Sequence, residues 1–165
     1  WKNYTSLNKN SIGIEISNPG HQFGYKSFSK KQINSIIKLS KFLIKKYKIK
    51  KNNILGHSDI APDRKKDPGE KFPWKTLSKK NIGIWHNINS KKLKKFRGKK
   101  CNQSSSIKFK NNLFKIGYSR NSQNKIEQFK YSTLLIKSFQ RRYRPELING
   151  KIDQECLLIS ENLTK

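Results

Sequence analysis

The stretch GHSDIAPDRKKDPGEKFPW, residues 56–74, holds His57 and Asp67 ten positions apart on a segment broken by Pro62, Pro68 and Gly69. An imidazole and a carboxylate brought together on a Pro/Gly-rich loop can make two of the three protein ligands of a hydrolytic zinc site, the fourth position being left to water. Ile54 and Leu55 lead into His57, which predicts a strand over residues 49–55 that delivers the imidazole at its end. Lys65 sets a cation two residues before Asp67. Taken alone, such a pair in a loop is more often a surface hydrogen bond than a metal site.

Upstream, SIGIEI (residues 11–16) alternates Ile12, Ile14 and Ile16 with Gly13 and Glu15. Period-two patterning predicts a strand with the three Ile side chains on one face and Glu15 on the other. Glu15 then reads either as a solvent-facing charge or as a carboxylate pointing into a cleft floored by a sheet. Ser29 followed by Gln32 reads as a capping box. It predicts a helix from there to Tyr47, with Ile33, Ile36, Ile37, Ser40, Leu43, Ile44 and Tyr47 as the stripe that packs on the sheet. A short helix near residues 74–80 closes this unit.

Residues 91–104 are rich in Lys and Ser and read as a linker. Beyond them, Phe109, Leu113 and Ile116 recur at helical spacing up to Gly117, a helix stop. Leu135, Phe139 and Tyr143 repeat every four residues and end before Pro145. Asp153 can cap a third helix that carries Leu157, Leu158 and Leu163.

The 56–74 string resembles the second metal-binding segment of the zinc-dependent N-acetylmuramoyl-L-alanine amidases of type 2, a family that shares its fold with the peptidoglycan recognition proteins. LNKNSIGIEISNPG (residues 7–20) is similar to the family's strand with a catalytic Glu, and residues 28–47 and 83–85 also fit. The resemblance implies that His57 and Asp67 are zinc ligands, Glu15 the general base and Lys65 the group that stabilises the oxyanion. It implies a third ligand, a His, on a strand upstream of Trp1, and hence a chain that is N-terminally incomplete. His21 and His86 read as surface or supporting residues rather than replacements. KIGYS (residues 115–119) and IKSFQRRYRPELINGKID (residues 136–153) resemble the peptidoglycan-binding domain often fused to cell-wall hydrolases.

The resemblance therefore implies an α/β catalytic domain over residues 1–90, a mixed central sheet flanked by helices with its N-terminal strands missing. A linker (91–104) and a small three-helix peptidoglycan-binding-like domain (105–165) follow. It implies a Zn2+ cofactor, peptidoglycan or muropeptides as substrate and a monomer in the bacterial cell envelope or periplasm. A non-catalytic peptidoglycan-binding relative is the alternative, since one zinc ligand is not in the chain.

Composition bears on partners. The 165 residues carry 38 Lys+Arg against 10 Asp+Glu, a formal net charge of +28. Such a charge suggests nucleic acid, and Arg141, Arg142 and Arg144 admit a basic recognition helix. But only six of the basic residues are Arg, the side chain suited to bidentate contacts with bases and phosphates. The Lys excess is spread along the chain, in the Lys/Asn/Ile usage that AT-rich coding favours, so no nucleic-acid partner is expected. It instead favours approach to anionic wall polymers. No apolar run reaches the roughly 18 residues of a membrane span. Cys101 and Cys156 lack metal-site spacing, and either a disulfide or two thiols fits them.

Overall fold

In the computed structural model, which describes residues 1, 2, 4, 6–120 and 127–165, helix α1 (Lys30–Tyr47) begins at the predicted cap. The Gln32 amide donates to Ser29 Oγ at 3.2 Å, and the Ser29 amide donates to Gln32 Oε1 at 2.9 Å. The box thereby satisfies two amides that the helix itself leaves without partners. The helix stops at Lys48, which adopts a left-handed conformation. Ile36 and Ser40 are buried, and Ile33, Ile37 and Ile44 line the same side. Tyr47, predicted on that stripe, is exposed.

The apolar side of α1 faces other segments than a sheet. Ile36 clusters with Phe72, Trp74, Leu77 and Ile82, from helix α3 (Trp74–Ser78) and its flanks, with Phe28, Ile16 and Ile54 at the margin. Edge-to-face contacts join Phe28 to Phe72 at 5.2 Å and Phe72 to Trp74 at 4.8 Å. Helix α2 (His57–Ile60) is a single turn lying between α1 and α3 in the chain.

Four longer elements follow: α4 (Ser90–Phe96), α5 (Gln103–Ile116), α6 (Gln128–Tyr143) and α7 (Gln154–Leu163). Their N-termini are capped by side chains that accept backbone amides, Asn89 from Lys91, Asn102 from Ser105 and Asp153 from Cys156, each at 2.8 Å; α6 has no side-chain cap. Gly117 ends α5 at φ +132°, where a Cβ would strike the indole of Trp1. Phe109 and Phe139, both fully buried, meet edge to face at 5.1 Å, and burying each is worth about 1.5–3 kcal/mol. On α7 the deepest apolar residues are Cys156 and Ile159; Leu157 and Leu163 sit at the margin.

This second core is not confined to α4–α7. Trp1, Leu7, Leu55, Ile84, Trp85 and Ile88 pack into it, and Leu93 of α4, within the predicted linker, is buried there. Trp85 touches both cores.

The α/β class with a mixed central sheet does not hold. Among the described residues there are seven α-helices and two 3-10 turns, Leu7–Lys9 and Lys51–Asn53, and no strand; Lys100 and Asp153 form one isolated antiparallel bridge. The predicted strand over 49–55 is interrupted by the second turn. Residues 11–16 belong to no ladder, and Ile12 and Ile14 are 49% and 39% exposed. Alternation states which face each side chain would take once the segment is paired. Pairing itself needs a second backbone to accept and donate hydrogen bonds, and no described segment forms a ladder with it.

Candidate functional site

The His57 loop is shaped by its backbone. Gly56 caps α2, and its amide donates to Asp59 Oδ2 at 2.8 Å, closing the turn that presents His57. Gly56 is needed because a Cβ there would lie 2.8 Å from the Pro68 ring. The Ser58 amide donates to the Asp67 carbonyl at 2.9 Å, tying the far end of the loop to α2. Arg64 and Lys65 donate to the Ala61 carbonyl and reverse the chain between them. The result brings His57 Nδ1 within 3.1 Å of Asp67 Oδ2, with side chains 41% and 59% exposed. The ten-residue spacing thus becomes a direct contact open to solvent.

A second cluster supports the Asp67–Pro68 end. Tyr25 Oη donates to the Pro68 carbonyl at 2.7 Å and accepts the Lys71 amide at 3.0 Å. Burial pushes the Tyr25 phenol up to about 12, so it stays a donor at neutral pH. His21 stacks on Tyr25 at 4.3 Å and reaches Glu70 at 3.0 Å. Burial works against the Glu70 carboxylate, but the His21 and backbone hydrogen bonds and the nearby His21 and Arg141 charges together hold its pKa below the ordinary value. Arg141 Nε approaches Glu70 at 3.6 Å.

A third group lies behind α2. Asp59 is buried, accepts from Tyr118 Oη at 2.7 Å and pairs with Arg142. Arg142 also donates to the Ile54 carbonyl at 3.0 Å and stacks over Trp74 at 4.0 Å. Ser138 Oγ donates to the Ser58 carbonyl at 2.6 Å. Burial disfavours charge on Arg142, yet the Asp59 carboxylate together with the Tyr143 and Tyr118 side chains holds the Arg142 pKa above the ordinary value.

The structure joins His57 to Asp67, and among the described residues no hydrogen bond or ion pair ties the Glu15 or Lys65 side chain to that pair. Glu15 is exposed on the unpaired extended segment and makes no hydrogen bond or ion pair among the described residues. That segment is anchored by Gln32 Nε2, which donates to the Ser17 carbonyl at 2.7 Å. Lys65 is half-buried beside the turn. His21 serves Glu70, and His86 is buried against Trp85. Desolvation holds His86 near a pKa of about 4, although a backbone hydrogen bond to Tyr143 opposes this. Among the described residues no group of three His, Cys, Asp or Glu could hold a metal ion. Both cysteines are free thiols. No helix of the described residues is long and apolar enough to cross a membrane.

Sequence reasoning missed Tyr25, Asp59 as a buried anchor, Tyr118 and Arg142. Asp59 carried a usable signal, an acid three residues after Gly56 at a helix start. Tyr118 and Arg142 lie 59 and 83 residues from Asp59, with no periodicity to link them.

Known amidases resemble the chain along nearly all of its length. The chain is 34% identical over 169 residues to N-acetylmuramoyl-L-alanine amidase AmiD of Escherichia coli K12, covering 99% of this chain and 60% of that protein. It superposes with a TM-score of 0.80 and 33% identity on AmiD solved with the substrate anhydro-N-acetylmuramic acid-L-Ala-D-gamma-Glu-L-Lys, covering 99% and 64% of the two chains. It also superposes on AmpDH3 of Pseudomonas aeruginosa, with a TM-score of 0.80 and 30% identity over 99% and 65%. The chain therefore spans somewhat under two thirds of the length of these relatives. Residues 1–70, which hold Glu15, His57, Lys65 and Asp67, match the model of the N-acetylmuramoyl-L-alanine amidase family.

Proposed function

We propose that this chain is the core of an N-acetylmuramoyl-L-alanine amidase, which hydrolyses the amide between the lactyl group of muramic acid and L-alanine in peptidoglycan or muropeptides. The observation that carries the reading is the solvent-open approach of His57 Nδ1 to Asp67 Oδ2 at 3.1 Å within the family segment. An imidazole nitrogen and a carboxylate oxygen are fitting donors for zinc. His57 and Asp67 would hold the ion together with a third ligand that the described residues do not add. Zinc, when bound, supplies a Lewis acid able to lower the pKa of water from about 15.7 towards about 7.

Glu15 acts as the base: it takes the proton of the attacking water and passes it to the departing amine of L-alanine. Its exposure suits a group that must exchange protons. Lys65 stabilises the negative charge that develops on the carbonyl oxygen, a role whose loss costs about 100-fold or more in rate. The helical unit holds the glycan and raises the local concentration of the catalytic loop on the polymer. The net charge of +28 draws the chain to anionic wall material, which fits a location in the bacterial envelope.

The test is release of peptides with free N-terminal L-alanine from anhydro-muropeptides and from sacculi, followed by mass spectrometry with zinc present. His57→Ala is expected to lose zinc, and Glu15→Ala to keep zinc but lose hydrolysis. Normal peptide release by the Glu15 variant would remove Glu15 from the base role. A second reading, a non-catalytic peptidoglycan-binding relative, is favoured by the lack of a three-ligand group among the described residues. It predicts binding to sacculi with no peptide release.

A further inference from the structure

The turn that presents His57 is held from behind by residues of the C-terminal half. Four buried or partly buried polar links run from there to residues 54–59. Tyr118 Oη donates to Asp59 Oδ1 at 2.7 Å, and Arg142 pairs with Asp59 Oδ2. Arg142 Nη2 donates to the Ile54 carbonyl at 3.0 Å, and Ser138 Oγ donates to the Ser58 carbonyl at 2.6 Å. Ser58 and Asp59 are the residues immediately after His57, and the Ser58 amide holds the carbonyl of Asp67. Both candidate ligands are therefore referenced to one peptide segment whose polar groups are satisfied by α6 and by the residue that follows Gly117.

Within its own half the segment has the packing of Ile54 and Gly56 against the first core and Pro68, and only short-range hydrogen bonds. The Gly56–Asp59 bond and the Ser58–Asp67 bond are internal to the loop, and α2 is only four residues long. A helix of that length has no stability of its own in water. The loop is open to solvent on the His57–Asp67 side. Its position is thus set by the buried side, where a hydrogen bond in low dielectric is stronger and an unmade one more costly.

We infer that Tyr118, Ser138 and Arg142 are positioning residues for the His57–Asp67 pair, so that the helical unit is a structural part of the amidase site as well as a glycan holder. This rests on the proposed amidase reading for its effect on rate, but not for its effect on geometry. None of the three side chains is placed on the substrate; each acts through the 54–59 segment. A misplacement of reacting groups by about 1 Å can cost on the order of 100-fold in rate.

The test uses the full chain with Tyr118→Phe and Ser138→Ala, each of which deletes one hydroxyl and little volume. Asn112→Ala is the control, since its side chain donates to Ser160 at 3.0 Å within the helical core and does not reach the loop. Two readouts are taken: the imidazole NMR signals of His57 in the zinc-free chain, and kcat and KM on an anhydro-muropeptide with zinc added. Tyr118→Phe and Ser138→Ala are expected to move the His57 signals and to lower kcat about 10-fold, with KM changed less than about 2-fold. Asn112→Ala lowers the melting temperature but leaves both readouts at wild-type values. His57 signals unmoved in Tyr118→Phe and Ser138→Ala, or moved equally by Asn112→Ala, would overturn the inference. An inactive wild-type chain would favour the non-catalytic reading instead, and the NMR comparison would still decide the positioning role.

Discussion

Replacing Arg142 with Met tests how firmly the two cores are joined. The guanidinium is almost completely buried, pairs with Asp59, donates to the Ile54 carbonyl and lies 4.0 Å from the Trp74 ring. Removing one partner of a buried pair costs about 3–5 kcal/mol because the other charge is stranded. Asp59 keeps the Tyr118 hydroxyl and the Gly56 amide, which puts that contribution near the lower limit. Loss of a desolvated cation–π contact adds about 1–2 kcal/mol, and Met recovers part of the volume. We expect a net destabilisation of about 4 kcal/mol. A chain of this size loses about 2–4 °C per kcal/mol, so the melting temperature falls by roughly 8–16 °C.

The assay is urea unfolding followed by Trp fluorescence and circular dichroism, with Asp59→Asn and the double variant completing the cycle. Asp59→Asn retains an oxygen for the Gly56 amide. The double variant is expected to be more stable than the sum of the singles predicts by about 2 kcal/mol, since neither leaves a stranded charge. A loss below about 1 kcal/mol for Arg142→Met, or singles that add within about 0.5 kcal/mol, would refute the reasoning. Because Arg142 spans the two cores, wild-type protein should also unfold in one transition by both probes.

His86 should make stability depend on pH. Its folded pKa, about 4, lies below the ordinary 6.5, so the fold favours the neutral ring. The stabilisation is complete above about pH 6.5 and is lost as pH falls towards 4. The loss is about 1–2 kcal/mol after discounting for partial contact with water, so His86→Gln should show a smaller fall in melting temperature between pH 7 and pH 4. Cys156, fully buried with its thiol pushed up to about 12, should resist a thiol reagent at pH 8 until the protein unfolds, while the half-buried Cys101 reacts slowly in the native state. Two thiols titrating at equal rates in native protein would contradict the packing of α7. Binding to sacculi should weaken steeply as salt rises from about 0.05 M to about 0.5 M, because the charge of +28 acts through a screened field. Salt-insensitive retention would assign binding to specific contacts instead.

Local signals survived folding where the physics is local. The Ser29–Gln32 capping box, the Gly117 stop and the Asp153 cap each involve groups within a few residues, so the sequence contains the whole interaction. The same is true of Phe109, Leu113, Ile116, Leu135, Phe139 and Tyr143, whose helical spacing forms the buried stripes of α5 and α6. The mixed sheet failed for the opposite reason. Ile12, Ile14 and Ile16 alternate as a strand would, yet a strand exists only against a neighbour, and alternation says nothing about whether one is present. Glu15, read from that same pattern, is consequently exposed on an unpaired segment.

The candidate site divides in the same way. The order of residues alone shows which chemistry is available: His57 and Asp67 on a Pro/Gly loop, with Lys65 between them. Only the tertiary structure decided that His57 and Asp67 touch, that Tyr25 braces Pro68 from 43 residues away, and that Tyr118 and Arg142 reach Asp59 from the other half of the chain. Residue types and short-range spacing are written along the chain, but contacts across 40 to 80 residues follow from how buried surfaces meet and how buried polar groups find partners.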